Sequence, residues 1–208
     1  SCFGTSESIT VIVNPSPEIS VNSSVSSICT NEITNIQLTS FNSNTTYNWV
    51  TISHNVAGAS GGSFIGQNFS INQTLDILGT SEGYVDYIVT PKLDNCIGEP
   101  ITIRIYVHPL PTPFLNSGSI CLDATGNVYQ NYLLNSGLNT TDYAFVWYLN
   151  GVAILNSNTP TYNASEPGTY SVIATNLLTG CSSDPLLANA TATVTETTPS
   201  TTMTIVQS

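Results

Sequence analysis

The chain has 208 residues, 40% hydrophobic but only 7% charged, against ~25% charged in ordinary globular domains. Lys and Arg number two, Lys92 and Arg104, against thirteen acids, and the net charge of −11 excludes nucleic acid and anionic membrane as partners, because both are held mainly through basic side chains. No apolar run reaches the length of a membrane span, and no leader segment is visible, so the chain reads as mature or as cut from something larger.

In chain order, "CFGTSESITVIVNPSPEI" (residues 2–19) opens with a cysteine and a β-branched run and closes on Pro15 and Pro17. The phrase returns as "CIGEPITIRIYVHPLPTPF" (96–114), where Cys96 is followed by Pro109 and Pro111 at the same offsets. Between the two, "SSIC" ends at Cys29, Tyr47 and Trp49 form an aromatic-x-Trp pair, and Tyr87 lies in the alternating run "GYVDYIVT". A second pass follows in the same order: "GSIC" ending at Cys121, Phe145 with Trp147, Tyr170 within "GTYSVIAT", and Cys181. The strand-like runs are short, rich in β-branched and aromatic residues, and broken by Gly, Asn, Ser and Pro. No long stretch has a helical period. Asn150-Gly151, between "FVWYL" and "VAIL", is a strong hairpin signal, since both central residues of a type I′ turn need positive φ.

The expected fold is therefore all-β, tandem β-sandwich domains. Proline cannot continue a central strand and holds a connector extended, so Pro109 and Pro111 mark an interdomain junction, and a short linker there sets the domains end to end. Residues 1–14 read as the last strand of a preceding repeat, 15–109 and 110–196 as two sandwiches, and 197–208 as a linker with the first strand of a next repeat.

"YNW", "VAGASGG", "INQTL" and "CIGEPITIRIYVHPLP" in residues 15–109 resemble the PKD-like repeats of giant secreted adhesins of the Bacteroidota. "FVWYLNG", "EPGTYSVIATN" and "TGC" in residues 110–196 resemble the Ig-like repeats of the same proteins, gliding-motility surface adhesins of the SprB type exported by type IX secretion. The resemblance implies an extracellular, cell-surface rod that presents a distal adhesive part. Its partners would be neighbouring repeats and surface polysaccharide or glycan. A second function stays open, an accessory carbohydrate-binding or spacer region of a secreted polysaccharide-degrading enzyme.

Catalysis is not expected, and neither is a cofactor. A hydrolase needs a nucleophile beside a base, and His54 and His108 stand in a polar loop and at the junction. "GASGG" (58–62) lacks the helix and the lysine of a phosphate cradle. Calcium takes six to eight oxygens, so Asp94, Glu99, Asp123, Glu166 and Asp184 would have to gather from scattered places, and metal binding is left open. Lys92 is a poor prospect for an isopeptide crosslink in a chain already holding cysteines. Trp49 and Trp147 are read as core anchors in preference to sugar platforms, and Tyr87 and Tyr170 as structural tyrosines near a sandwich corner. The seven N-x-S/T sequons are read as chance matches in an Asn-, Ser- and Thr-rich chain. No exposed aromatic row is evident.

Widely spaced cysteines without a C-x-x-C pair indicate disulfides in an oxidising compartment. Two pairings stay open. Bonds within each unit, Cys29–Cys96 and Cys121–Cys181, are favoured and would contribute ~4 kcal/mol each by chain entropy. Against them, an Ig-like topology places the two cysteines of a unit at opposite poles, and Cys29–Cys181 would then be the bond. Cys2 has no partner under either scheme.

Overall fold

A computed structural model describes residues 4–11, 16–22 and 26–198. The chain divides into two units, residues 1–108 and 109–208, and each has its own apolar core. Both are Ig-like β-sandwiches.

The first unit contains β1 (Ser20–Val21), β2 (Ser27–Cys29), β3 (Ile36–Thr39), β4 (Thr46–His54), β5 (Val56–Ala57), β6 (Gly62–Ile65), β7 (Asn68–Ile71), β8 (Asp76–Ile77), β9 (Gly83–Leu93), β10 (Cys96–Ile97) and β11 (Ile101–His108). One sheet runs β1-β3-β7, the other β2-β11-β9-β4-β6 with β10 on the end of β9, and β5 and β8 form a small pair. Side chains alternate across a strand, and β9 follows that rule along its whole length. Val85, Tyr87 and Val89 are buried, while Tyr84, Asp86, Ile88 and Thr90 lie on the other face. Tyr47 and Trp49 of β4 and Ile105 and Val107 of β11 join the same core, opposite Ile36, Leu38 and Ile71 of the second sheet. Pro91 lies in β9 opposite Tyr47 of β4; on its other side the β11 ladder ends at Val89 and Gly98 N–H donates to the Pro91 carbonyl at 2.9 Å, so the proline forgoes only a reciprocal N–H bond near the β9–β10 turn.

The second unit contains β12 (Gly118–Leu122), β13 (Val128–Gln130), β14 (Tyr132–Asn135), β15 (Tyr143–Leu149), β16 (Val152–Ala153), β17 (Thr161–Ala164), β18 (Gly168–Asn176) and β19 (Thr191–Thr197). Its larger sheet runs β13-β12-β19-β18-β15-β16 and faces the pair β14-β17. Trp147, Phe145, Tyr170, Val172 and Leu134 fill the space between them. Asn150 and Gly151 both have positive φ (51° and 81°) and close the β15–β16 hairpin with Leu149 opposite Val152.

One topological feature recurs. The first strand of the larger sheet lies parallel to the last, β2 beside β11 and β12 beside β19, while the other pairings are antiparallel. Parallel neighbours need a long crossover, and here the rest of each sandwich is the crossover.

Residues 4–11 form no strand, with Ile9 and Val11 largely exposed. The reading of residues 1–14 as the last strand of a preceding repeat depends on a ladder that the described residues do not contain.

The cysteines correct the favoured pairing. Cys29 and Cys181 are disulfide-bonded, whereas Cys96 and Cys121 are free thiols, each partly exposed. Neither Cys29–Cys96 nor Cys121–Cys181 exists, and strand length is the reason. Cys29 pairs with His108, and Val107 beside it pairs with Gly83 at the start of β9. Cys96 pairs with Leu93 at the end of β9, roughly 30 Å along the strand. In the second unit Cys121 lies beyond the Gly168 end of β18, and Cys181 accepts a hydrogen bond from Asn176 at the other end. A disulfide requires its Cα atoms within ~7 Å. Cys2 lies outside the described residues.

Candidate functional site

The aromatic residues singled out in the sequence are core residues with buried polar ends. Trp49 Nε1 donates to the Ser60 carbonyl at 3.0 Å, and Trp147 Nε1 to the Thr159 carbonyl at 2.9 Å. The Tyr170 hydroxyl donates to the Glu166 carbonyl four residues upstream at 3.0 Å, which ties the loop before β18 to the core. Tyr87 donates to Gln73 Oε1 at 3.0 Å. Burial pushes its phenol up to about 12, with a hydrogen bond to Thr34 pulling the other way.

Gln73 is the residue the sequence did not reveal. Its amide nitrogen donates to the Ser60 carbonyl at 2.8 Å, its Oε1 accepts from Ser60 N–H at 3.0 Å, and the same oxygen receives the Tyr87 hydroxyl. One side chain thus holds both the Trp49 acceptor and Tyr87. The only hint was its position in "INQTL", midway between the buried Ile71 and Leu75. The Gly-rich "GASGG" segment has a packing reason. A Cβ on Gly62 would stand 2.3 Å from the Trp49 indole, so the glycine makes room for the ring across the β4–β6 ladder.

The polar candidates do not converge. His54 stacks on Tyr84 with ring centroids 4.4 Å apart. His108 Nδ1 lies 2.7 Å from Glu82 Oε2. Among the described residues no three His, Cys, Asp or Glu side chains gather into a set able to hold a metal ion. Asp123 is engaged by its own turn: Oδ1 accepts from Thr125 N–H, Thr125 Oγ1 and Asn127 N–H at 2.7–2.9 Å. These bonds, the Thr125 hydroxyl first, hold its carboxyl below the usual range. Pro109 and Pro111 begin the second unit, Pro111 buried, and no strand forms before Gly118. Among the described residues no helix is long and apolar enough to cross a membrane.

What the fold does assemble is a side-chain array on the solvent face of the larger sheet in the first unit. The ladders set His54, Tyr84 and Tyr106 side by side on β4, β9 and β11. Next to them Arg104 pairs with Asp86 through two 2.7 Å bonds, Nε to Oδ1 and Nη2 to Oδ2, and its guanidinium lies 4.0 Å above the Tyr84 ring. Arg104 holds the Asp86 carboxyl below the ordinary carboxylate range. Further along the same face stand Val50, Ile52 and Ile88, the first two about half exposed at 60% and 48%, and then Lys92 opposite Thr46. An aromatic row, not evident in the sequence, is therefore present on this face. Its rings stand as a ladder, Tyr84 covered by His54 and Arg104, so it offers no free ring face at Tyr84 for a sugar.

No family model matches the chain, and no curated protein matches it. Solved structures similar to it include the class 5 fimbriae chaperone CfaA (9% identity, 85% of this chain, 97% of that chain, TM-score 0.35). DIP-gamma IG1+IG2 (11%, 88% and 98%, TM-score 0.34) and the human OSCAR ligand-binding domain (14%, 86% and 96%, TM-score 0.30) are others. At such scores the Ig-like assignment rests on the strand order and cores of the chain itself.

Proposed function

We propose that this chain is a scaffold region of a secreted cell-surface adhesin, two tandem Ig-like domains that space and present an adhesive part without chemistry of their own. The observation that carries the reading is the doubling. Two complete sandwiches with the same closing parallel pair follow one another in a chain that has almost no basic residues. Disulfide-bonded Cys29 and Cys181 fit an oxidising compartment, outside the cytoplasm. The resemblance of "GYVDYIVTP" and "EPGTYSVIATN" to repeats of gliding-motility adhesins points the reading toward bacterial surface attachment and type IX export. On this reading the partners are neighbouring repeats of the same protein and surface polysaccharide, and the chain is not an enzyme.

The test is surface labelling. Antibody raised against this chain should bind intact producing cells, and deletion of residues 16–198 from the parent should impair attachment or gliding while leaving export intact. Labelling only after lysis, or a hydrolytic activity of the purified chain that His54→Ala removes, would overturn it.

A further inference from the structure

The two free thiols have oxidised counterparts in the fold. Cys29 and Cys121 occupy the first place. Each follows Ser-Ile on the first strand of the larger sheet, next to a buried isoleucine, Ile28 or Ile120. Each pairs in parallel with the final residue of the last strand, His108 of β11 or Thr197 of β19. Cys96 and Cys181 occupy the second place, after the turn that ends the longest strand of the unit. Cys96 lies opposite Leu93 of β9, and the Cys181 carbonyl accepts from Asn176 N–H at the end of β18. Each turn holds a residue at positive φ, Asp94 (50°) and Gly180 (74°). Both places therefore carry sulfur in both units, and each is oxidised in one unit and reduced in the other. The oxidised set holds one sulfur of each kind, and so does the reduced set. Within a unit the two kinds stand at opposite ends of the sheet, too far apart for a bond.

We propose that Cys96 and Cys121 are disulfide half-sites for a further Ig-like unit of the same kind, Cys96 taking a sulfur from that unit's first strand and Cys121 one from its turn. The oxidised counterparts name the occupant, since each free thiol stands where its equivalent is already bonded. The surroundings of the two thiols supply a second observation. Beside Cys96, Ile97 is exposed, and Leu93 opposite it lines an open cleft of about 410 Å³ with Pro17 and Phe41, the last 93% exposed. Cys121 pairs with Gln130 of β13, and the same short strand exposes Val128 and Tyr129, the tyrosine to 81%. An exposed aromatic ring beside each partly exposed thiol gives both ends the composition of a protein interface. A second copy of this chain carries both kinds of end, so Cys121 of one copy meets Cys96 of another. The contact is heterologous and extends from copy to copy. The bond forms by exchange with a disulfide donor of the glutathione class. One protein thiolate attacks oxidised glutathione and releases a glutathione thiolate; the second attacks the mixed disulfide and releases the other. Two protein thiols thus lose two protons and two electrons, and one glutathione disulfide becomes two thiols. The inference rests on the reading of the chain as tandem repeats, and not on its attachment role.

Complementation between two variants of the whole chain tests it. Every chain carries Cys2→Ser, which removes the fifth cysteine from the readout, and either Cys96→Ser or Cys121→Ser. In a glutathione redox buffer that leaves Cys29 and Cys181 bonded, each variant alone should stay monomeric on a non-reducing gel. An equal mixture of the two should form a dimer, and peptide mapping should find Cys96 joined to Cys121 in it. Random collision of surface thiols would instead give dimers in each variant alone as readily as in the mixture. Phe41→Ser and Tyr129→Ser, both at exposed positions, should each slow dimer formation roughly tenfold with the melting temperature unchanged. If a serine variant unfolds, alanine replaces it. Dimers in either variant alone, no dimer in the mixture, or a rate that neither aromatic substitution changes would overturn the proposal. Failure of surface labelling on producing cells, with the mixed dimer still formed, would overturn the scaffold reading and leave the pairing intact.

Discussion

Gln73 and Tyr87 show how a single polar side chain can secure an apolar core. The Tyr87 ring is fully buried, so its hydroxyl needs a partner, and Gln73 supplies it while bracing the Ser60 loop that receives Trp49. Removing one partner leaves the other buried donor unmet, which costs ~1–3 kcal/mol. Gln73→Ala should destabilise the first unit by about that amount in a denaturant titration, whereas Gln67→Ala, whose amide serves an exposed loop carbonyl at Phe41, should change little. The raised phenol gives a pH dependence of definite sign. The folded state keeps the Tyr87 proton up to about pH 12, while the unfolded chain releases it near 10. Between those values the folded state binds the extra proton, so stability falls as pH rises, by roughly 2–3 kcal/mol across the window. Below pH 10 the contribution is complete. Melting curves of Tyr87→Phe should lack this part of the alkaline loss, and a wild-type curve flat from pH 10 to 12 would refute the assignment.

At the scale of elements, the hairpin at Asn150-Gly151 was legible because turn chemistry is local. Positive φ at both positions is a demand that the dipeptide itself announces. Gly151→Ala forces a Cβ into that region at a cost of about 1–2 kcal/mol, with open space around it. Gly62→Ala is the contrasting case, since its φ is unremarkable and the obstacle is the Trp49 indole, an overpacking cost of about 1–3 kcal/mol. A thermal melt should separate them: a partner substitution Trp49→Phe should offset much of the loss in Gly62→Ala, and no ring substitution should offset Gly151→Ala. The same contrast explains what else could be read. Alternation within "GYVDYIVT" and "ITIRIYV" gave the strands and their buried faces, because it lies along the chain. The array of His54, Tyr84, Tyr106 and Arg104 was hidden, because it exists only once β4, β9 and β11 are in register. Gln73 was hidden for the same reason.

For the whole molecule the cysteines are the test of how sequence spacing and geometry combine. Spacing favoured one bond per unit, since each unit holds two cysteines and folds around its own core. Geometry overrides it. In each sandwich the two cysteines sit at opposite ends of the long central strands, and no rotamer spans roughly 30 Å. The oxidised residues are instead Cys29 and Cys181, one from each unit, and Cys96 and Cys121 keep their thiols. Chemical labelling should recover that division. Iodoacetamide added to the unreduced chain in denaturant, where burial no longer protects any thiol, should alkylate Cys96 and Cys121 and leave Cys29 and Cys181 unmodified. A second reagent added after reduction should then mark Cys29 and Cys181. Alkylation of Cys29 or Cys181 before reduction, or protection of Cys96 or Cys121, would contradict the assignment. Reduction should also lower the unfolding midpoint, since a native disulfide is worth ~2–5 kcal/mol, whereas Cys96→Ser and Cys121→Ser should not, because no crosslink is lost with them. That difference separates the structural sulfurs from the two thiols left available for oxidation, and it holds whether the denatured state is followed by fluorescence of Trp49 in the first unit or of Trp147 in the second.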